Sequence, residues 1–95
     1  MANVVKKEMT SSLNEFFRLI PKALIDIEYA ISDNKVKFSY EGGQICIDPG
    51  EEKVKQIASL KMPLLHVNFH FDSVSEDNTT LFLDHFFKVY QRGGG

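Results

Sequence analysis

Hydrophobic and polar residues alternate most clearly between Leu64 and Asp72. The apolar positions of this stretch are Leu65, Val67, Phe69 and Phe71, and the polar positions between them are His66, Asn68, His70 and Asp72. Successive side chains of a β-strand point to opposite faces, so this period of two predicts a strand with one apolar and one polar face. Pro63 disfavours a helix that continues into the stretch. We expect this strand to be the element that the rest of the chain covers.

The same alternation predicts three more strands in residues 25–31, 35–40 and 44–47. They are separated by Asp33-Asn34 and Gly42-Gly43, whose residue types tolerate the positive φ angles of two-residue hairpin turns. The expected cross-strand neighbours are Tyr29 with Phe38, Tyr40 with Ile45, Phe38 with Ile47, and Ser39 with Cys46. A slip by one residue would turn an apolar set toward water, so the pattern predicts a three-stranded antiparallel meander in this register.

Two helices are predicted from their start signals. Ser12 and Glu15 have the spacing of a capping box and begin the first helix, which Pro21 is expected to end or kink before one further turn. Asp48 is an N-cap residue type followed directly by a proline. A second helix is therefore predicted over residues 49–62.

With a third helix near the C-terminus, the predicted order is α-β-β-β-α-β-α. This order defines an α+β fold with a four-stranded, mainly antiparallel sheet and helices packed on one face. The 95 residues, 43% of them hydrophobic, suffice for one core. We expect residues 1–10 to form a flexible N-terminus, residues 11–92 a single domain, and residues 93–95 a flexible glycine tail.

Charge and cysteine content narrow the classes of partner. The formal net charge of −2 gives no overall attraction to nucleic acid or to an anionic membrane, so neither is expected as a partner. The single cysteine, Cys46, excludes an intrachain disulfide, and no apolar run approaches the roughly 20 residues that span a bilayer. These features predict a cytoplasmic protein. No nucleotide, phosphate-loop or nucleophile motif is present, so no cofactor and no small-molecule ligand are expected.

His66, His70 and Asp72 share the polar face of the predicted strand and are residue types that bind zinc-like ions. Strand residues two apart are separated by about 7 Å and those four apart by about 13 Å, whereas ligand atoms lie about 2 Å from a metal. The three residues would need ligands from another strand, so we expect no metal site and no catalytic residue here. A small enzyme or metal protein that uses this face together with Cys46 is an alternative.

Arg92, Gly93, Gly94 and Gly95 end the chain in a pattern that resembles the C-termini of ubiquitin-like and sulfur-carrier proteins. The resemblance is confined to the tail, and it implies a carrier-type protein whose glycine end enters a partner's active site. The chain departs from that family in its third glycine and in the three meander strands that precede the last helix. In the other interpretation, Gly93 ends a helix and the following residues fray.

The last helix, predicted to begin at Ser75, carries more apolar surface than one helix face needs. Phe82, Phe86 and Val89 form one stripe, and Leu83, Phe87 and Tyr90 continue around the helix. Unless the first helix covers it, such a surface usually marks an interface. We therefore expect a small accessory or protein-interaction domain without catalytic activity, whose partner is another protein or a second copy in a homodimer.

Overall fold

The computed structural model of this chain describes residues 2–93. Within them the chain forms six strands and two helices in the order β-α-β-β-β-β-β-α. Their bounds are β1 (Ala2–Met9), α1 (Leu13–Ala23), β2 (Tyr29–Ser32), β3 (Lys35–Tyr40), β4 (Gly43–Asp48), β5 (Lys53–Ile57), β6 (Leu60–Asp72) and α2 (Glu76–Gly93). Neither helix in this part of the chain is long and apolar enough to cross a membrane.

The strand β6 lies inside an antiparallel sheet whose order is β1-β6-β4-β3-β2, and β5 pairs with the first part of β6. Its predicted apolar positions are all buried, while His66 and His70 are exposed, so the central position and the two faces of β6 are confirmed. The α+β class is right. The predicted four-stranded sheet and the order α-β-β-β-α-β-α are wrong, because residues 2–93 form a six-stranded sheet and two helices.

The first missing element is β1, which occupies residues that sequence analysis assigned to a flexible N-terminus. It pairs antiparallel with β6 from Ala2 opposite Asp72 to Met9 opposite Leu65. The residues from Val4 to Glu8 do not alternate regularly between apolar and polar. This strand lies at the edge of the sheet, where charged residues such as lysine and glutamate are common. Its pairing partner is distant in sequence, so a local pattern did not reveal the strand.

Residues 49–62, predicted to be a helix, instead form a loop, β5, a turn and the start of β6. Lys53 lies opposite Leu64 and Ile57 opposite Leu60, with Ala58 at a φ of 54° in the turn between them. Asp48 does not cap a helix, because its Oδ1 accepts a hydrogen bond from the Gly50 amide at 3.0 Å. An aspartate followed by proline and glycine starts a turn as readily as a helix, and here the turn forms.

The first hairpin turn is confirmed at Asp33-Asn34, where both residues have positive φ angles of 53° and 60°. Tyr29 lies opposite Phe38, as predicted. These φ values are typical of the type I′ turn, whose twist matches that of the two strands it joins.

The second turn lies one residue earlier in the chain than predicted. Glu41 and Gly42 take the positive φ angles, 48° and 82°, so the turn is Glu41-Gly42 and not Gly42-Gly43. Phe38 therefore lies opposite Ile45, and Cys46 lies opposite Lys37 instead of Ser39. The pairing is shifted by two residues, so every side chain keeps its predicted face.

The first helix begins as predicted and runs farther than expected. The Ser12 hydroxyl accepts a hydrogen bond from the Glu15 amide at 3.1 Å, which confirms the N-cap. The helix continues through Pro21 to Ala23, so the extra turn is part of α1. Glu52 also accepts a hydrogen bond, at 2.7 Å, from the amide of Leu13 at the positively charged end of this helix.

Both helices cover the sheet face that carries the apolar side of β6. Phe69 and Phe86 have ring centroids 5.1 Å apart, Phe71 and Phe82 6.2 Å, and Phe16 of α1 lies 6.3 Å from Phe86. The two helices thus share one aromatic core with the sheet, and the other sheet face is left without a covering element in the described residues.

Candidate functional site

The open sheet face carries the polar residues of β6. His66, His70 and Asp72 are exposed there, and Asn68 is half-buried. The neighbouring residues of β1 are Glu8 opposite His66, Lys6 opposite Asn68 and Val4 opposite His70. Charges of both signs alternate with neutral groups, as on most solvated surfaces.

Cys46 lies in the middle of this face, between His70 of β6 and Lys37 of β3. Partial burial raises the pKa of the Cys46 thiol, and the carboxylate of Asp48 acts in the same direction. The positive charges of Lys37 and Lys35 act against this rise. A raised pKa keeps the thiol protonated near neutral pH, whereas the thiolate is the reactive form. The face thus places a histidine next to a cysteine without activating it.

Within the part of the chain that the structure describes, no group of three or more His, Cys, Asp or Glu side chains is placed to hold a metal ion. Cys46 and His70 are cross-strand neighbours, so the residues of the enzyme alternative include one adjacent cysteine and histidine. Along β6, His66 lies four residues from His70 and Asp72 lies two residues from it. The sequence-predicted candidates are therefore on one face, spread along a strand rather than gathered around one point.

The predicted interaction residues of the last helix lie mostly against the core. Tyr90 is buried, and its hydroxyl donates a hydrogen bond to the backbone oxygen of Phe16 at 2.6 Å. Phe87 is half-buried and contacts Phe69 with a centroid distance of 5.8 Å, and Leu83 is also half-buried. The first helix covers part of the surplus apolar surface of α2. An interface built on Leu83, Phe87 and Tyr90 stays a prediction.

The glycine tail lies only partly within the described residues. Arg92 and Gly93 are the last residues of α2. Gly94 and Gly95, on which the carrier alternative depends, lie outside the described residues.

Sequence analysis missed a projecting pair of strands, which we call the ribbon: β5 together with Leu60–Leu64 of β6. The pairing of β1 with β6 ends at Leu65, and that of β4 ends at Asn68. Among the described residues the two ribbon strands thus pair only with each other. The molecule is correspondingly long, 46 Å in one direction and 25 Å in the other two.

A four-residue loop joins the ribbon to the main sheet. Residues 49–52 connect Asp48, which pairs with Asn68, to Lys53, which pairs with Leu64, and they belong to no strand. Gly50 in this loop has a φ of 69°, a conformation that glycine adopts readily. The β4 side of the sheet is therefore interrupted where the ribbon begins.

The ribbon exposes large apolar side chains. Val54 is 68% exposed, Ile57 52%, Leu60 65% and Met62 36%. We call Ile57, Leu60 and Met62 the ribbon patch: Ile57 is directly opposite Leu60, and Met62 lies two residues farther on the same side of β6. The apolar residues of β5, Val54 and Ile57, are three apart, which is a helical spacing, so the local pattern gave no signal for this strand.

The ribbon is also basic. Lys53, Lys55 and Lys61 are its three charged residues, and it contains no acidic residue. The Nζ atom of Lys55 lies 3.2 Å from an Oε atom of Glu8 at the end of β1, an exposed ion pair. Exposed ion pairs of this kind contribute little to stability. With three lysines and no acidic residue of its own, the ribbon presents a positively charged apolar surface.

The helix α2 also carries an exposed large apolar side chain. Leu81 is 61% exposed, between Asp77 one turn before it and Asp84 one turn after it. We call these three residues the α2 patch. Comparison of the chain with protein-family models, with characterised proteins and with solved structures finds no match.

Proposed function

We propose that this chain is a small protein-interaction domain without catalytic activity, and that it binds its partner through the ribbon. The observation that carries the proposal is the exposure of Val54, Ile57, Leu60 and Met62 on strands that project from the sheet. A fully buried side chain of this kind stabilises a contact by about 1.5–3 kcal/mol relative to the exposed state. Burying these side chains against a partner is therefore favourable.

The position of the ribbon supports the same proposal. A hydrophobic residue that is exposed alone is ordinary on a protein surface, whereas neighbouring apolar residues at a projecting end are typical of contact sites. Ile57, Leu60 and Met62 are neighbours across and along two strands. Half-buried Leu83 and Phe87 of α2 offer a partner less surface than the ribbon does.

A partner is expected to contact the side chains of the ribbon, because the free edge of β6 is a poor place to add another strand. Pro63 pairs with Val54, so its nitrogen, which has no hydrogen to donate, faces the free edge of β6. A strand that added to this edge would lose a ladder hydrogen bond there, which is one of the ways in which edges resist pairing.

Chemistry on the open sheet face is the weaker alternative. A nucleophile needs its reactive form, and burial raises the pKa of the Cys46 thiol. The polar residues of β6 are spread along about 20 Å of strand from His66 to Asp72. These observations support a binding function over a catalytic one.

Affinity capture from lysate of the native cell, followed by binding measurements with the purified captured protein, tests the proposal. Leu60→Asp should abolish binding, because it places a charge in the contact. Ile25→Asp is the matched control, since Ile25 and Leu60 are both 65% exposed, and it should bind like the wild type. Equal binding by wild type and Leu60→Asp would refute the role of the ribbon.

A further inference from the structure

The ribbon patch and the α2 patch lie at opposite ends of the molecule. Phe82 of α2 contacts Phe71 near the end of β6, with ring centroids 6.2 Å apart, whereas Leu60 begins β6. The eleven residue-to-residue steps from Leu60 to Phe71 span roughly 35 Å of strand. The two patches therefore do not meet within one chain.

The two patches both expose apolar side chains, and the charges beside them have opposite signs. Lys53 and Lys55 lie on the same ribbon face as the ribbon patch, whereas the α2 patch is one exposed leucine between two aspartates. Since residues 53–64 hold three lysines and no acid while the whole chain has a net charge of −2, the rest of the molecule is acidic. Two ribbons would repel each other, which disfavours a symmetric ribbon-to-ribbon dimer.

We propose that the chain binds further copies of itself head to tail, with the ribbon patch of one copy against the α2 patch of the next. This inference rests on the proposed function, because it names the partner of the same surface. A head-to-tail contact uses two different surfaces of each copy, so every added copy leaves one ribbon patch and one α2 patch free at the ends. Association continues beyond two chains unless the copies close into a ring.

The contact is small, because each patch consists of a few side chains. Interfaces at the low end of the size range are weak and transient. The association is therefore expected at high micromolar concentrations, and it should weaken with salt because lysines face aspartates across it.

Sedimentation equilibrium of the purified chain tests the inference. The wild type should show an average mass that rises with concentration past that of two chains, or reaches a plateau at a ring. Leu60→Asp, which blocks the ribbon patch, and Leu81→Asn, which blocks the α2 patch, should each remain single chains over the same range. Ile25→Asp should associate like the wild type.

A mixture of the two blocked variants distinguishes a head-to-tail contact from every symmetric one. Leu60→Asp retains its α2 patch and Leu81→Asn retains its ribbon, so an equal mixture should form two-chain complexes and nothing larger. No complex in the mixture, or complexes of more than two chains, would overturn the inference.

Charge reversal gives an independent check of the pairing. Lys53→Glu with Lys55→Glu should weaken association at least tenfold, and so should Asp77→Lys with Asp84→Lys. A chain that carries all four changes should recover it. Failure of the recovery would overturn the inferred pairing of these charges.

The remaining outcomes separate this inference from the proposed function. A wild type that stays a single chain at high micromolar loadings overturns self-association, yet a foreign protein captured through the ribbon would leave the proposed function intact. Cosedimentation of single chains with vesicles of phosphatidylserine and phosphatidylcholine, lost in Leu60→Asp, would instead assign the ribbon to a membrane surface and overturn both.

Discussion

The hydroxyl of Tyr90 donates a hydrogen bond of 2.6 Å to the backbone oxygen of Phe16, and this bond joins α2 to α1. The Tyr90 ring also stacks on Phe86, with centroids 4.4 Å apart. One side chain therefore fixes the relative position of the two helices by packing and by a buried polar contact. This contact places Tyr90 in the core and not on the surface of the last helix.

Tyr90→Phe should lower the free energy of unfolding by about 0.5–1.5 kcal/mol, because the ring remains and one hydrogen bond is lost. Tyr90→Ala should cost about 3–5 kcal/mol, because it also removes the buried ring. Urea denaturation of both variants measures the two losses. Equal stability of Tyr90→Phe and wild type would mean that the hydrogen bond contributes nothing.

Stability should fall at alkaline pH. Burial, with a smaller contribution from the negative charge of Glu15, raises the pKa of Tyr90 well above its ordinary value. An unfolded tyrosine ionises near pH 10, so above about that pH the unfolded state loses a proton that the folded state keeps. Below that pH, protonated Tyr90 makes its full contribution to the free energy of unfolding. Above it, one such group lowers the free energy of unfolding by up to about 1.4 kcal/mol per pH unit.

Comparison with Tyr90→Phe isolates this effect from other ionising groups. Urea denaturation of wild type and variant from neutral pH to about pH 11 should show the wild-type advantage shrinking as the unfolded tyrosine ionises. A constant difference between the two proteins at all pH values would contradict it.

Gly43→Ala should destabilise the sheet by about 1–3 kcal/mol, the usual range for overpacking. A Cβ at Gly43 would lie 2.5 Å from the backbone oxygen of Ser73 and also against the backbone oxygen of Asp72. Gly42→Asn is the control, because a Cβ at Gly42 meets no atom within 4 Å and asparagine tolerates the positive φ there. Thermal unfolding should show the larger loss for Gly43→Ala, and the reverse order would contradict this account of the turn.

Glu52→Gln should reduce stability by about 0.3–1 kcal/mol, because the carboxylate of Glu52 faces the amide end of α1. Its Oε1 accepts from the Leu13 amide at 2.7 Å. The loss should shrink in high salt, and Glu51→Gln, a change at the neighbouring exposed residue, should cost less. Similar losses for the two variants in low salt would contradict a specific contact at the helix terminus.

Local chemistry in the sequence determined several features directly. The alternation in residues 64–72 determined which side chains of β6 enter the core, and Asp33-Asn34 determined the first turn, because both depend on neighbouring residues alone. Ser12 and Glu15 determined the start of α1 in the same way. The open polar face that carries His66 and His70 also followed from this period of two.

Tertiary structure decided the features whose partners are distant in the sequence. The edge strand β1 exists through its pairing with β6, and the second turn moved to Glu41-Gly42 where Gly43 packs against the backbone of Asp72 and Ser73. The apolar residues of 53–57, Val54 and Ile57, are three apart as in a helix, yet pairing with Leu60–Leu64 selects the strand. The ribbon is therefore a tertiary feature: short periodic patterns are ambiguous, and hydrogen bonds to a second strand resolve them.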